Sequence, residues 1–311
     1  MEKHNLRQVY VETLIRFARQ DPRIVSLDTD SREATLSDRF AAEFPERSFS
    51  FGIAEQDMVS AAGGMATMGL IPFVNSYAMF IAMRALDQVR NAVAYPNLNV
   101  KFVLSHHGLD VGSDGVTHQL TEDVAIFRTI PNLQLLHPAD STEMRQMVEY
   151  AIQIHGPIII KSGKSAVPMV MPADYVWRYG EPALVADGEK IAIIANGVMV
   201  HRALTARSIV QKQANFSPRV INLSSLTDVN ADTLLQLTDG VSHVVTVEDH
   251  SIYGGLGGII SEILSEHRPS HVVRMGMGRT FAQAGTPDEL FARYGLDAAA
   301  IARNAIALTQ P

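Results

Sequence analysis

Short apolar runs of strand length alternate with segments of helical periodicity along almost the whole chain. A first helix is predicted over Leu6–Arg19, where Val9, Leu14 and Ile15 recur at helical spacing. Strands are then predicted over Arg23–Leu27, Phe49–Ile53, Ile71–Asn75, Val100–Ser105, Leu133–Leu136 and Pro157–Ile160, with helices over Gln56–Met68, Ile81–Ala94 and Ser141–Ile154. This alternation is typical of an α/β fold, a mostly parallel sheet with helices on both faces.

The alternation stops in a proline-containing stretch after Gly163 and then begins again. Strands are predicted over Lys190–Ala195, Arg219–Leu223, His243–Val247 and His271–Arg274, with helices over Met199–Gln213 and Gly257–His267. The sequence therefore predicts two α/β domains, residues 1–170 and 185–311, joined by a linker at 171–184.

Composition excludes several classes of function. The formal net charge is −7 and no segment gathers Lys and Arg into a block, which argues against nucleic-acid and membrane partners. The chain has no cysteine, and its first ten residues lack the apolar core of a secretory signal, so we expect a cytoplasmic protein. The charge-free run from Met58 to Met83 contains glycines and Pro72, and we interpret it as a buried helix followed by a buried strand.

A glutamate lies where a predicted strand ends and a predicted helix begins, in the run Ser50-Phe51-Gly52-Ile53-Ala54-Glu55-Gln56. One interpretation is a carboxylate that complements the positive end of the helix dipole. The other is a desolvated functional carboxyl group, because Glu55 leads into the long charge-free run.

A polar loop follows the strand Val100–Ser105. Residues 105–119 contain three histidines, two aspartates and three glycines, which is too polar for core. The spacing of His and Asp matches no compact metal motif, so we predict no metal site here. A loop that binds a sugar or a phosphate is the better interpretation. Nearby, Tyr77 and Phe80 share one face of a helix start, either as core packing or as a platform for a planar ligand.

These motifs together resemble the transketolase family. Its pyrimidine-binding domain is similar to Gly52-Ile53-Ala54-Glu55-Gln56, Asp114-Gly115-Val116-Thr117-His118-Gln119, Ile130-Pro131-Asn132-Leu133 and Pro138-Ala139-Asp140. Its C-terminal domain is similar to the run from Val247 to Gly257. The Gly-Asp-Gly motif that family members use for magnesium and diphosphate is not present in this sequence.

The resemblance implies roles on the cofactor side of a thiamine diphosphate site. Glu55 is expected to hydrogen-bond the ring nitrogen of the aminopyrimidine and to be catalytic. Tyr77 and Phe80 are expected to stack on that ring, with Phe73 beside them, and Asp30 is placed with the cofactor-binding residues.

The resemblance also implies a sugar-binding side. His106, Asp114 and His118 are expected to contact hydroxyls of a ketose donor, the two histidines also as catalytic groups. Arg7 and Lys164 are expected to hold the phosphate of the sugar.

Three positions depart from the family pattern on this side. Ala34 stands in place of a phosphate-binding serine, Lys164 (with Lys161 nearby) in place of an arginine, and Asp110 in place of a glycine. A lysine keeps the charge but loses the bidentate geometry, and Asp110 would add a carboxylate beside the donor pocket. The donor therefore need not be an ordinary pentose phosphate.

The implied function is the C-terminal subunit of a split transketolase, which transfers a two-carbon ketol unit between sugars. An N-terminal partner subunit would hold most of the magnesium contacts, in an assembly of two copies of each chain. Alternatives are a subunit of a related thiamine enzyme, either deoxyxylulose-phosphate-synthase-like or the β subunit of a 2-oxoacid dehydrogenase, and a non-catalytic α/β scaffold subunit.

Overall fold

The computed structural model describes residues 2–172 and 174–309. The strands of the N-terminal part are, in chain order, β1 Lys3–His4, β2 Ile24–Asp28, β3 Ser48–Ser50, β4 Ile71–Tyr77, β5 Lys101–Ser105, β6 Gln134–Leu136, β7 Ile158–Ser162 and β8 Val167–Pro168. Six of them form one sheet in the order β3-β2-β4-β5-β7-β6, and every neighbouring pair in it is parallel. The pair β1 and β8 forms a small antiparallel ribbon.

Helices cross over between these strands, as a parallel sheet requires. They are α1 Leu6–Ala18, α2 Arg32–Thr35, α3 Asp38–Glu43, α4 Glu55–Thr67, α5 Leu86–Gln88, α6 Asp123–Phe127 and α7 Ser141–Gln153. Each strand predicted in this half is present, with ends shifted by a few residues. The single helix predicted over Ile81–Ala94 is instead the short α5 between two π-helical stretches, Phe80–Arg84 and Val89–Ala94.

The C-terminal part contains a second, smaller sheet. Its elements are β9 Ala183–Ala186, β10 Lys190–Ala195, α8 Met199–Ala214, β11 Arg219–Asn222, α9 Ala231–Leu237, β12 Val241–Ser251, α10 Leu256–His267, β13 His271–Met277, α11 Pro287–Arg293 and α12 Ala298–Ala307. The strand order is β13-β12-β10-β11-β9, and only β9 runs antiparallel to its neighbour. Two α/β units with mostly parallel sheets are thus confirmed. The exact boundaries at 170 and 185 stay a prediction.

The charge-free run folds inside the N-terminal part. It forms α4 and β4, and the side chains of Met58, Val59, Val74 and Phe73 have no exposed surface. Among the described residues, no helix is both long and apolar enough to cross a bilayer. The interpretation as a buried helix and strand is confirmed.

A buried carboxylate on α7 joins the two parts. Glu143 is completely buried, and its oxygens accept hydrogen bonds from Ala139 N (2.8 Å), from Asn222 Nδ2 (2.9 Å) and from Ser224 Oγ (2.9 Å). Asn222 ends β11 and Ser224 follows it. A single side chain of the first sheet's helix layer therefore satisfies polar groups of the second sheet, and burial raises its pKa to about 7.

Replacing this carboxylate should destabilise the junction between the two sheets. We expect Glu143→Ala to lower the free energy of unfolding by about 3 kcal/mol, because three buried donors lose their acceptor. Urea denaturation of the variant measures this. Glu149→Ala is the matched control, since Glu149 lies on the same helix and is exposed. Equal stability of the two variants would contradict the role assigned to Glu143.

Candidate active site

A cleft lies at one edge of the six-stranded sheet. Because β2, β4, β5 and β7 are parallel, the loops that follow them all emerge at this edge. The cleft has a volume of about 1100 Å³, and its walls include Asp30, Glu55, Tyr77, Phe80 and Arg84. The structure thus gathers four of the predicted cofactor-side residues around one opening.

Glu55 forms part of the cleft wall as the first residue of α4. The residue is only 1% exposed, so the desolvation inferred from the sequence is confirmed. Its carboxylate is not alone, however: Arg84 Nη1 donates to Glu55 Oε2 over 2.6 Å. Sequence reasoning did not identify Arg84, although it is the charge that ends the charge-free run. Among the described residues, Glu55 Oε1 accepts no hydrogen bond.

An aromatic pair lines the cleft beside Glu55. The rings of Tyr77 and Phe80 are nearly parallel, 14° apart in plane and 5.7 Å between centroids, and the Arg84 guanidinium lies 4.7 Å from the centroid of Phe80. Phe73 lies elsewhere. It sits near the start of β4, has no exposed surface and packs against Tyr10 at 6.3 Å, so it is a core residue rather than a part of the cleft wall.

The polar segment of residues 106–119, which we call the histidine loop, adjoins the aromatic pair. The His106 ring stacks on Tyr77 at 4.0 Å, and its Nδ1 lies 2.8 Å from Ser105 Oγ. The ring of His118 meets Tyr77 and Phe80 edge-on at 5.7 and 5.5 Å. The two predicted histidines and the two predicted aromatic residues therefore form one continuous surface.

His106 is held in an unusual state. Its φ of +55° is in the left-handed region, which is uncommon for a residue with a side chain and is often found at functional sites. The residue is buried, with only 2% of its surface exposed. Burial, and then the positive charges of Arg7 and Lys164, lower its pKa to about 3. The imidazole is therefore neutral near pH 7, able to donate a hydrogen bond and to accept one.

The predicted cationic residues lie next to the histidine loop. Arg7 Nη1 donates to Ala34 O (2.5 Å) and its Nη2 donates to Lys164 O (3.0 Å). Lys164 Nζ lies 2.7 Å from Asp114 Oδ1 and 3.0 Å from Val111 O. Partial burial opposes ionisation of Asp114, but the hydrogen bond from Lys164 keeps its pKa below the usual value. The predicted substrate-side residues are thus linked to one another.

Asp110 and Lys161 do not face the cleft. The Asp110 side chain is buried and accepts from Lys164 N (2.7 Å) and Ser165 N (2.9 Å), so it shapes the backbone and does not add a free carboxylate to the pocket. Lys161 is also buried and pairs with Asp123 at 2.8 Å. The expectation that Asp110 adds a carboxylate beside the donor pocket is therefore corrected, because sequence position does not reveal the direction of a side chain.

The glycine-rich run before α10 does not present an empty anion site. Leu256 N and Gly257 N both donate to the carboxylate of Glu248, at 2.6 and 2.9 Å. A Cβ on Gly255 would lie 2.0 Å from that carboxylate. The chain's own glutamate therefore fills the start of this helix.

Comparison with known proteins matches both parts of the chain to one family. Residues 2–169 match the transketolase pyrimidine binding domain, and residues 180–301 match the transketolase C-terminal domain. This chain belongs to the transketolase family.

Relatives of the same length are separate subunits or sections. The chain is 37% identical to a Methanocaldococcus jannaschii protein assigned as a transketolase C-terminal section, over 96% of this chain and 94% of that protein. It is 34% identical to a 6-deoxy-6-sulfo-D-fructose transketolase subunit of a Clostridium species, over 100% of this chain and 96% of that protein. This chain therefore corresponds to the C-terminal section of a transketolase-type enzyme.

A solved structure and a longer relative complete the comparison. The structure described as a split gene transketolase in an inactive β4 tetramer matches with a TM-score of 0.87 and 35% identity, over 99% of this chain and 100% of that one. The 1-deoxy-D-xylulose-5-phosphate synthase of Syntrophus aciditrophicus is 34% identical over 95% of this chain but only 46% of its own length. The deoxyxylulose-type alternative therefore has a relative of similar identity.

Because His106 is buried and neutral, the free energy of unfolding should depend on pH in the acidic range. A histidine whose folded pKa lies below its unfolded pKa stabilises the fold above pH 6.5, and that stability is lost as the pH falls further. We expect His106→Asn, which tolerates the left-handed backbone, to flatten the fall of unfolding free energy between pH 6.5 and 4 by about 1 kcal/mol per pH unit.

Urea denaturation across this pH range measures the difference between wild type and variant. His118→Asn serves as the control, because His118 belongs to the same loop but is partly exposed. Parallel stability curves for wild type and His106→Asn would show that His106 is not held neutral.

Proposed function

We propose that this chain is the pyrimidine-side subunit of a heteromeric transketolase that transfers a two-carbon ketol unit from a phosphorylated ketose to an aldose. The observation that carries the proposal is the buried Glu55 carboxylate beside the Tyr77 and Phe80 rings. A carboxylate next to a flat aromatic surface fits an aminopyrimidine, which presents both a basic ring nitrogen and a planar face.

The residues of the cleft fit the pyrimidine half of thiamine diphosphate. Arg84 occupies Glu55 Oε2, which leaves Oε1 to share a proton with the pyrimidine nitrogen. Phe80 and Tyr77 supply the stacking surface. When bound, thiamine diphosphate supplies the carbanion chemistry of a ketol transfer. Glu55 keeps the ring in the required protonation state.

The histidine loop accounts for the sugar side of the proposed reaction. A neutral His106 can accept a hydrogen bond from a sugar hydroxyl or donate one to it, and His118 adds a second imidazole to the same surface. Arg7 and Lys164 supply positive charge for the anionic end of the sugar. Both a phosphate and a sulfonate are anionic and would bind to this positive charge. We therefore propose a donor with an anionic terminus, and the assay with different donors identifies it.

The cofactor proposal also implies a partner. The described residues contain no group of three or more His, Asp or Glu side chains arranged to hold a metal ion, whereas a diphosphate is usually held through a divalent cation. We therefore propose that an N-terminal transketolase subunit supplies the magnesium and diphosphate contacts, in an assembly of two copies of each chain. The inactive β4 tetramer of the related split enzyme supports this need for a second subunit.

One alternative remains supported by a specific relative. The match to deoxyxylulose-phosphate synthase favours a chain that uses pyruvate as the donor, with the same role for Glu55. The donor distinguishes the two functions, since ketol transfer needs a ketose and the alternative consumes a 2-oxoacid.

Neutralising Glu55 should abolish ketol transfer in the reconstituted enzyme. We expect Glu55→Gln, mixed with an N-terminal transketolase subunit, thiamine diphosphate and magnesium, to lose at least about 100-fold in kcat, because an amide cannot exchange the proton at the ring nitrogen. Transfer from xylulose 5-phosphate to ribose 5-phosphate is the first assay, followed by sulfonated ketoses and by pyruvate.

Asp57→Asn is the matched control, since Asp57 lies in the same helical turn and is exposed. This variant should keep wild-type activity. Equal activity of the Glu55→Gln and wild-type mixtures would contradict the proposed role of Glu55. Turnover of pyruvate but of no ketose would replace the proposed reaction with the alternative.

A further inference from the structure

The histidine loop has little regular structure of its own. It contains one 3-10 stretch, Leu109–Asp114, which is interrupted at Gly112 with φ +71° and ψ −119°. A segment of this kind keeps one conformation only if contacts outside it hold the backbone in place. The position of His106 and His118 therefore depends on what the loop packs against.

The C-terminal domain supplies the contact at the start of the loop. Asp249 lies on β12 in the second sheet, and it is only 2% exposed. Its Oδ1 accepts from Leu109 N over 2.7 Å, and its Oδ2 accepts from Asp110 N over 3.1 Å. One carboxyl group thus accepts from two consecutive backbone N–H groups, which fixes the direction of this part of the loop backbone.

The loop is shaped to receive this carboxylate. Gly108 has a φ of +64°, and a Cβ at this position would lie 2.3 Å from the carboxylate carbon of Asp249. The glycine therefore permits both the left-handed backbone and the close approach of Asp249. A side chain at position 108 would therefore clash with Asp249.

The same domain also holds the end of the loop. Gln119 Nε2 donates to Gln283 O over 3.0 Å, and Ser251 N donates to Thr121 O over 2.7 Å. The C-terminal domain thus contacts the loop on both sides of the segment that carries Asp114 and His118.

The contact extends to the cationic residue of the site. Asp110, whose N–H is bound by Asp249, uses its own carboxylate to accept from Lys164 N and Ser165 N. A chain of hydrogen bonds thus connects Asp249 to the backbone of Lys164, although Asp249 itself does not line the cleft.

We propose that Asp249 is a positioning residue through which the C-terminal domain holds the histidine loop in its binding conformation. Its effect on the ordering of the loop is independent of the reaction, whereas its effect on catalysis rests on the proposed function. The C-terminal domain thereby acts on the substrate side of the site, while Glu55 and the aromatic pair belong entirely to the first domain.

Hydrogen exchange of the full chain tests the ordering of the loop. Asp249→Asn has the same shape, but its single carbonyl oxygen can accept from only one of the two N–H groups and its NH₂ faces the other. We expect the amides of residues 108–114 to exchange about tenfold faster in this variant. Gly108→Ala changes the loop residue that faces Asp249 and should also speed amide exchange in residues 108–114. It should not alter the core of the C-terminal domain.

Glu248→Gln is the matched control. Glu248 is the preceding residue on β12, is 1% exposed and also accepts two backbone N–H groups, but these belong to the start of α10. In the Glu248→Gln variant, amide hydrogen exchange should be faster at residues 255–258 and unchanged in the histidine loop. Unchanged exchange of the loop in Asp249→Asn, or an equal rise in Glu248→Gln, would overturn the proposal.

Kinetics of the reconstituted enzyme tests the consequence for the site. We expect Asp249→Asn to lower kcat/KM for the ketose about tenfold, mainly through KM, and to leave the affinity for thiamine diphosphate unchanged. A parallel loss of cofactor affinity would overturn the assignment. If the wild-type mixture transfers no ketol unit but the exchange result is obtained, the proposed function fails and the ordering role of Asp249 is supported.

Discussion

The parallel register of the six-stranded sheet is the constraint on which the rest of the site depends. It brings the ends of β2, β3, β4, β5 and β7 to one edge, so that residues distant in sequence, such as Asp30, Glu55 and Tyr77, line the same cleft. The buried apolar side chains of α4 and β4 make this possible, because they pack the sheet against its helices. A polar cleft at the carboxyl edge is the expected position of a ligand in such a sheet.

Charge within the cleft is divided between two sides. At the aromatic end, the buried carboxylate of Glu55 pairs with Arg84, whose side chain is 44% exposed, and a buried charge is costly unless it keeps a partner. His106 stays neutral because burial, and then the positive charges of Arg7 and Lys164, lower its pKa. This division corresponds to a ring-binding side and an anion-binding side of a single site, which is the arrangement that the proposed transfer between sugars requires.

The sequence predicted the fold class and most strands, because strand periodicity and polar strand ends are local signals. The resemblance to the family, and not periodicity, implied that Glu55, Tyr77, Phe80, His106 and His118 belong to one site. It did not predict which side chains face inward or contact one another across the chain. Phe73 lies in the core, and Asp110 and Lys161 turn away from the cleft, whereas Arg84 and Asp249 contact partners 29 and 139 or more positions away. Contacts of this kind depend on tertiary packing, which no local pattern records.

The central claim is that this chain holds only the pyrimidine side of a thiamine diphosphate site. Titration calorimetry of thiamine diphosphate and magnesium, into the chain alone and into its mixture with an N-terminal transketolase subunit, tests this most directly. The account predicts strong binding to the mixture and at least about tenfold weaker binding to the chain alone, since the diphosphate contacts would be missing. Absence of binding to the mixture, or equally strong binding to the chain alone, would contradict it.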